Sequence, residues 1–330
     1  MSSLPTLVFI HGSWHTPTCY EKIIKLLQEK HELKCATVTL PSMSGNPAAT
    51  FKDDLDAARE VISGETTQGR DVVVIAHSYG GMVGNSAVKG FTRPKDAGST
   101  APSTLASPQH TQQSQPSSAG HVIGIILIAS GFTFTGLSFM DPFLGRPPPA
   151  WRANKETGYA ELVTSPRELF YHDLPEDEAN YWVSQLTTQS LKALFEGGEH
   201  SYAGWLDVPA WYIGTIEDRG LPVLMQRTQI GMARAMGANV VHREMQTSHS
   251  PFLSQPEQTV AYVVEAVEAF TGKSLANDAA KARRNEVALP EPRLLQPFTW
   301  FKFGLPLIFG RVIGGCIVIF GWCRKLWRSN

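Results

Sequence analysis

Residues 72–81 read VVVIAHSYGG, and this stretch is the strongest indication of the fold. Val72–Ala76 is an apolar, β-branched run that predicts a buried strand, and a helical pattern begins directly after Ser78. A serine between a strand and a helix sits on a sharp, strained turn, so the residues two positions away must be small. Here they are Ala76 and Gly80. The stretch therefore predicts a nucleophilic serine, whereas a serine that only caps the helix would leave the small neighbours unexplained.

Strand and helix patterns alternate on both sides of this stretch. Further strands are predicted at Thr6–His11, Lys34–Leu40, Val122–Ala129, Pro209–Gly214 and Asn239–Met245. Helices are predicted at Cys19–Lys30, Phe51–Ser63, Tyr79–Gly90, Pro222–Met236 and Gln255–Phe270. Continuously apolar strands that alternate with helices indicate a parallel sheet covered on both faces. We therefore expect an α/β fold with a mostly parallel, six-stranded sheet.

The remaining segments suggest how the chain is organised. The core is predicted at residues 1–131 and 207–272. Residues 92–120 within it are rich in Ser, Thr, Pro and Gln, so we expect a disordered insert. Residues 132–206 carry many aromatics and are expected to form a mostly helical cap. Residues 273–297 have linker composition, and 298–330 form a hydrophobic and basic tail.

Composition excludes some classes of function. The formal net charge of −1 is unlike the basic excess of nucleic-acid-binding proteins, so no nucleic-acid partner is expected. The four cysteines, Cys19, Cys35, Cys316 and Cys323, show no metal-ligand spacing and suit reduced thiols. No secretory signal is visible near the start, since the apolar run at Thr6–Ile10 is short. These features favour an intracellular protein.

A nucleophilic serine needs a base, and the base needs an orienting acid. In this kind of fold the chain order is serine, acid, histidine. His249 lies between the last strand and the last helix and is the candidate base. Asp218 follows the preceding strand and is the preferred acid, with Glu217 beside it as the alternative.

A serine that attacks a carbonyl also needs N–H donors for the oxyanion. The residue after the nucleophile and a loop after an earlier strand supply them in this kind of fold. Tyr79 and Ser13, in the sequence HGSW at 11–14, are the candidates, and both would act through backbone amides. The alternative is that Gly12 marks an ordinary strand-end turn. His11 precedes the turn and is expected to be structural.

Four stretches of the chain resemble a known family. They are LVFIHGSWH at 7–15, VVVIAHSYGGM at 72–82, WYIGTIEDRGLP at 211–222 and SHSPFLSQPE at 248–257. They resemble the α/β-hydrolase branch that contains plant methylesterases, hydroxynitrile lyases and their fungal and bacterial relatives. The resemblance covers the core up to about residue 271. It implies the α/β-hydrolase fold, a triad of Ser78, Asp218 and His249, and ester hydrolysis through an acyl-enzyme without metal or organic cofactor.

Two departures bear on what the resemblance implies. Ala76 replaces the first glycine of the serine motif, and Ser250 stands where the lyases carry a lysine. Cyanohydrin cleavage is therefore disfavoured. We expect a serine hydrolase for a carboxylic ester of a small apolar metabolite. A thioesterase or lactonase with the same triad, or a non-catalytic ligand-binding protein on this scaffold, are the alternatives.

The tail carries an apolar segment, FGLPLIFGRVIGGCIVIFGWC at 303–323, with Arg311 as its one charge. At about 1.5 Å per residue such a helix could cross a hydrocarbon core of about 30 Å. Three interpretations stay open: a membrane-spanning anchor, an interfacial amphipathic segment, or a helix packed on the protein itself. If the tail anchors the protein, we expect the catalytic domain to face the cytosol.

Overall fold

A computed structural model describes residues 4–93, 119–275 and 300–328 of the chain. The disordered insert predicted at 92–120 lies outside the described residues, apart from two positions at each end. The linker predicted at 273–297 lies outside them as well, apart from 273–275.

The core is a six-stranded sheet in which all neighbouring strands run parallel, as the sequence predicted. Its strands are β1 (Thr6–Ile10), β2 (Cys35–Val38), β3 (Val72–His77), β4 (Val122–Ile128), β7 (Ala210–Thr215) and β8 (Val240–Met245). The strand order is β2-β1-β3-β4-β7-β8, so the elbow strand β3 lies in the middle. β1 and β3 are buried along their whole length, which explains their unbroken apolar sequences.

Helices cover both faces of this sheet. The core helices are α1 (Glu21–His31), α2 (Phe51–Thr66), α3 (Gly80–Ala87), α7 (Val223–Ala235), α8 (Pro251–Ser254) and α9 (Pro256–Thr271). Gly84 of α3 lies against Val74 and Ala76, on one face of β3. Phe270 of α9 lies over Gly124, whose register partner Val73 points to the opposite face.

The segment between β4 and β7, which is the predicted cap, contains short helices and one element that the sequence did not reveal. The helices are α4 (Pro166–Phe170), α5 (Glu176–Ser184) and α6 (Leu191–Phe195). The additional element is an antiparallel pair formed by β5 (Trp151–Asn154) and β6 (Tyr159–Leu162). Each strand has only four residues, and a bridge from Tyr159 to Ser190 supports the pair. Contacts between distant residues, rather than local pattern, therefore define this hairpin.

The tail forms one long helix, α10 (Leu305–Arg328), after a π-helical turn at Trp300–Gly304. α10 packs along α7, where Gly231 of α7 meets the Leu307 carbonyl group. Among the described residues one segment, Phe301–Arg324, is long and apolar enough to cross a membrane. Length and composition alone are weak grounds for a membrane span, and the packing on α7 matches the third interpretation of the tail.

The structure explains how the elbow tolerates Ala76. A methyl group at position 84 would lie 3.0 Å from the Ala76 Cβ and 3.1 Å from Val74 Cγ1. Both distances are shorter than ordinary carbon contacts, which lie at about 3.5–4.0 Å. The room that a glycine at 76 would have left is thus supplied by Gly84 on the facing helix.

We predict that Gly84→Ala destabilises the protein by about 1–3 kcal/mol through overpacking, although alanine favours helices. Ala76→Gly in the same chain should recover part of the loss, with a coupling of at least about 0.5 kcal/mol. Urea unfolding of the single and double variants measures both quantities.

The control for this prediction is Gly64→Ala in α2, where a methyl group meets nothing within 4 Å. It should raise stability by up to about 1 kcal/mol through helix propensity. If Gly84→Ala behaves like this control, the proposed contact between Ala76 and Gly84 is wrong.

Candidate active site

Ser78 occupies the sharp turn between β3 and α3. Its φ is +50°, in the left-handed region that L-residues rarely adopt, and its side chain is only half-buried. Its amide still continues the sheet by donating to the Ile128 carbonyl of β4 at 3.2 Å. Two glycines allow the turn to pack closely: a methyl group at Gly12 would lie 2.9 Å from Ser78 Cβ, and one at Gly80 would lie 2.5 Å from the His11 carbonyl oxygen.

The same strain recurs on both neighbouring strands. Trp14 follows β1 with a φ of +62°, and Ala129 follows β4 with a φ of +44°. Together with Ser78 they account for three of the five non-glycine residues with positive φ in the described ranges. Such residues cost about 1–3 kcal/mol each and tend to cluster at functional sites. Their position marks the carboxyl edge of the central strands as the candidate site.

The predicted base and acid lie together at this edge. His249 Nδ1 and Asp218 Oδ2 are 2.7 Å apart, and both side chains are buried. Because His249 Nδ1–H donates to the carboxylate, the neutral ring keeps its lone pair on Nε2, the nitrogen free to accept a proton. Glu217 is exposed and accepts a hydrogen bond from Gln246 instead. Of the two acids that the sequence offered, only Asp218 reaches the histidine.

Four further hydrogen bonds hold the Asp218 carboxylate in place. Its Oδ1 accepts from the amides of Gly220 at 2.8 Å and Leu221 at 2.7 Å. Its Oδ2 accepts from Thr215 Oγ1 at 2.7 Å and Gln226 Nε2 at 3.2 Å. These four donors, together with His249, fix the orientation of the carboxylate. It can therefore fix the tautomer of His249 and stabilise its protonated form.

The backbone of His249 is tied to the elbow through His77, the residue before Ser78. His77 Nε2–H donates to the His249 carbonyl group at 3.0 Å, and the two ring centroids are 4.6 Å apart. β3, β7 and β8 thus bring Ser78, Asp218 and His249 to one edge of the sheet.

The Ser13 amide, the first candidate oxyanion donor, is oriented through the other end of its peptide unit. That unit contains the Gly12 carbonyl group, which accepts from His11 Nδ1 at 3.1 Å and from the His15 amide at 3.3 Å. In a trans peptide the N–H points away from the C=O, so these two bonds aim the Ser13 N–H in the opposite direction. His11, expected to be only structural, therefore has a positioning role as well.

The Tyr79 amide is fixed in the same way. Its peptide unit contains the Ser78 carbonyl group, which accepts from Ser130 Oγ at 2.6 Å and from the Gly81 amide at 2.9 Å. In the described part of the chain neither the Ser13 nor the Tyr79 amide donates to another protein group. Both N–H groups are thus available to a negatively charged oxygen, which is the requirement for an oxyanion hole.

Tyr79 is also anchored through its side chain. Its hydroxyl donates to Asp54 Oδ2 at 2.7 Å, and the Asp54 carboxyl accepts from the Ser42 amide at 2.9 Å and hydroxyl at 2.6 Å. Burial raises the pKa of Asp54 to about 6, against these hydrogen bonds, which lower it. This pair connects the elbow to α2.

The cap reaches the candidate base directly. The Phe170 ring lies 5.6 Å from the His249 ring, and the Phe170 carbonyl group accepts from Ser248 Oγ at 2.8 Å. Asp173 accepts from the Ser248 amide at 2.9 Å. The cap therefore holds the loop before His249 and places an aromatic surface beside it.

Sequence reasoning missed Ser130, Asp54 and Phe170. Ser130 and Asp54 act on residues 52 and 25 positions away, and no motif marks either of them. Phe170 belongs to a set of cap aromatics that the sequence left unassigned. Within the described ranges, no group of three or more His, Cys, Asp or Glu residues could hold a metal ion.

Comparison with known proteins agrees with this arrangement. The sequence profile of the Alpha/beta hydrolase family matches residues 7–262, most of the chain. The chain belongs to the alpha/beta hydrolase family. The alpha/beta hydrolase nvfD of Aspergillus novofumigatus is 26% identical over 265 residues, which cover 79% of this chain and 96% of that protein.

Solved structures similar to this chain include an esterase, a pyrethroid hydrolase and a methylketone synthase. Polyneuridine aldehyde esterase has a TM-score of 0.56 at 18% identity, over 80% of this chain and 99% of that one. The pyrethroid hydrolase of Sphingobium faniae JZ-2 has 0.56 at 17% identity, over 81% and 98%. Tomato methylketone synthase I has 0.57 at 14% identity, over 82% and 100%. At these identities the likeness shows the fold alone.

We predict that Ser130→Ala lowers kcat by about 5-fold while changing KM little, because it removes one hydrogen bond, worth about 1 kcal/mol, that orients the Tyr79 amide. The matched control is Ser138→Ala, since Ser138 is buried and its hydroxyl has no hydrogen-bond partner. Steady-state kinetics on p-nitrophenyl esters compares the two. Equal kcat values for both variants would show that Ser130 does not position the amide.

Three buried histidines surround the elbow in neutral form. Burial lowers the pKa of His11 to about 4 and that of His15 to about 3, and it holds the pKa of His77 well below its usual range. For His15 the hydrogen bonds agree: Nδ1–H donates to the Ser13 carbonyl group at 2.8 Å, and Nε2 accepts from Tyr171 Oη at 2.9 Å.

From the lowered pKa values of these three histidines we predict that the protein loses stability as the pH falls from 6.5 to 5. In that range these histidines bind protons in the unfolded chain but not in the folded chain. The free energy of unfolding therefore falls as the pH falls. Asp54 works in the opposite direction because its pKa is raised to about 6, but it is one group against three. Urea unfolding at several pH values measures the slope.

His15→Gln isolates one of the three groups. Glutamine retains a donor and an acceptor but does not titrate. The slope of the free energy of unfolding should therefore drop by up to about 1.4 kcal/mol per pH unit. An unchanged slope would mean that folding does not lower the pKa of His15.

Proposed function

We propose that this alpha/beta hydrolase cleaves a carboxylic ester of a small apolar metabolite through an acyl-enzyme on Ser78. The observation that carries the proposal is the buried hydrogen bond from His249 Nδ1 to Asp218 Oδ2, at 2.7 Å, on the sheet edge that also holds the strained Ser78. This bond leaves His249 Nε2 free as a base.

In the proposed reaction His249 Nε2 takes the proton from Ser78 Oγ as that oxygen attacks the ester carbonyl carbon. The Ser13 and Tyr79 amides hold the oxyanion of the tetrahedral intermediate. His249 then passes the proton to the departing alcohol, and the acyl group remains on Ser78. His249 then takes a proton from water, which attacks the acyl carbon; the bond to Ser78 Oγ breaks as His249 returns the proton to that oxygen, and the acid is released. Asp218 stabilises the imidazolium in both halves of the reaction.

The apolar character of the substrate is inferred from the side chains near the site. Phe170 lies beside His249, and the ring centroids of Phe139 and Tyr79 are 5.5 Å apart. The match to the alpha/beta hydrolase family supports hydrolysis, and two of the similar structures carry the names of an esterase and a hydrolase. Ser250, buried after His249, supplies no cation for a cyanide leaving group.

We also propose that the protein associates with a membrane through residues 303–323, with the catalytic domain in the cytosol. The long apolar helix in this segment supports the proposal.

A fluorophosphonate probe tests the nucleophile. We expect the folded protein to be labelled at Ser78, and Ser78→Ala to lose the label together with at least about 10⁴-fold in kcat. The matched control is Ser184→Ala at an exposed serine of α5, which should retain both. An unlabelled folded wild-type protein would favour a ligand-binding role, and labelling of Ser78→Ala would assign another nucleophile.

Substrate class is tested separately from the nucleophile. The wild-type enzyme is assayed on matched p-nitrophenyl esters, acyl thioesters and lactones, and kcat/KM is compared across acyl chain length. Preference for an apolar ester agrees with the proposal, whereas a higher kcat/KM for thioesters or lactones would reassign the substrate class and leave the triad in place.

A further inference from the structure

α10 presents two different faces, and its inner face is shaped for α7. A methyl group at Gly310 would lie 1.9 Å from the Thr228 carbonyl oxygen, and one at Gly314 would lie 2.5 Å from that of Met232. On α7, a methyl group at Gly231 would lie 2.2 Å from the Leu307 carbonyl oxygen. Glycines on both helices therefore allow backbone-to-backbone contact that no larger residue permits.

The start of the tail is fixed to α7 by a buried arginine. Arg227 is almost fully buried, donates to the Lys302 carbonyl group and stacks 3.5 Å above the Phe303 ring. Its guanidinium is also paired with Glu244, with both N–O distances at 2.8 Å. The first half of α10 is thus joined to the core by packing and by a satisfied charged group.

The outer face of α10 is apolar and uncovered in the described structure. At about 100° per residue, one stripe runs along the whole helix, roughly opposite Gly310 and Gly314. Its members are Leu305, Ile308, Phe309, Val312, Cys316, Ile319 and Cys323, and all of them are exposed. A continuous apolar surface of this length on a folded protein indicates a binding surface.

Positive charges flank the stripe on both sides. On the same helical projection, Arg311 lies about 110° to one side of the centre of the stripe and Arg324 about 110° to the other. Both residues are exposed. An apolar stripe bordered by basic residues is the pattern of a helix that lies in the plane of a bilayer, with its charges at the level of anionic headgroups.

The packing of α10 is incompatible with a span. A spanning helix needs about 20 residues surrounded by lipid, whereas residues up to Gly314 are packed on α7. The ten residues from 315 to 324 would cover only about 15 Å of the 30 Å required. The helix can reach lipid along its outer stripe without leaving α7.

We infer that α10 is an in-plane membrane helix, which binds the surface of an anionic lipid bilayer through the outer stripe while its glycine face stays on α7. This inference deepens the membrane association proposed above and rests on it. A second copy of the chain is a poorer partner for the stripe because its flanking arginines carry the same charge.

Vesicle binding tests the stripe. The full-length protein should sediment with vesicles of phosphatidylcholine containing phosphatidylserine, more weakly with phosphatidylcholine alone, and less in high salt. Val312→Glu, at a stripe residue 57% exposed, should weaken binding at least 10-fold. Val163→Glu, at a cap residue 61% exposed, is the matched control and should bind like the wild type. Equal binding by both variants overturns the inference.

Depth measurements distinguish an in-plane helix from a span. A fluorophore is attached to Cys316 in one protein and to an Ile308→Cys variant in another, each with the other exposed cysteines replaced by serine. Quenching by brominated lipids should place both labels at the same shallow depth, whereas a spanning helix separates them by about 12 Å along the bilayer normal. That separation would contradict the inference.

Two controls separate this inference from the other proposals. Val312→Glu should retain full hydrolysis of a soluble p-nitrophenyl ester, so loss of vesicle binding says nothing against the Ser78 chemistry. Absence of vesicle binding by the wild type would end the membrane proposal as a whole. A lipid-free dimer in which Cys316 and Cys323 are protected from maleimide would assign the stripe to a second copy and overturn the inference.

Discussion

The left-handed backbone at Ser78 is the constraint around which the central part of the molecule is arranged. With φ at +50°, this residue has a backbone conformation that L-amino acids rarely adopt. The strain is sustained because neighbouring elements leave no room for a relaxed turn: Gly12 and Gly80 allow β1 to approach, and Ser130 holds the Ser78 carbonyl group. The same hydrogen bond that stabilises the turn also aims the Tyr79 amide. Strain and preorganisation of the site therefore have one structural origin.

Charge at the site is controlled by burial. His77 stacks beside His249 and His15 interacts with it electrostatically, so as cations they would oppose the imidazolium of the proposed reaction. Burial keeps their pKa values low, so both stay neutral at physiological pH. The Asp218 carboxylate is meanwhile held in place by backbone and side-chain donors. Its hydrogen bond with His249 is made at Nδ1, so Nε2 is left without a partner in the described structure.

The sequence predicted the fold well because most of the parallel strands are continuous apolar runs, and it singled out Ser78, Asp218 and His249 as candidates because each follows a predicted strand. It could not reveal Ser130 or Asp54, whose roles depend on contacts with Ser78 and Tyr79 across the fold. The β5–β6 hairpin was not predicted for a related reason. Strands of four residues are too short to show a clear alternation of apolar and polar residues, and their formation depends on the strand with which they pair. Candidate residues at strand ends could be predicted from the sequence, whereas residues that hold them through hydrogen bonds from distant parts of the chain could not.

The contacts of the C-terminal tail could not be predicted from the sequence either. The sequence left a membrane-spanning anchor, an interfacial segment and a helix packed on the protein all open, because composition does not show which side of a helix is covered. The spacing of Gly310 and Gly314 gained meaning only when α7 supplied Gly231 as a facing surface. Once these glycines are assigned to the contact with α7, the opposite side of the helix carries a row of exposed apolar residues from Leu305 to Cys323, and Val318, Phe320 and Trp322 add exposed apolar surface beside it. The position of the glycines thus determines which side of the helix stays against α7 and which side is open to a partner such as the bilayer proposed above.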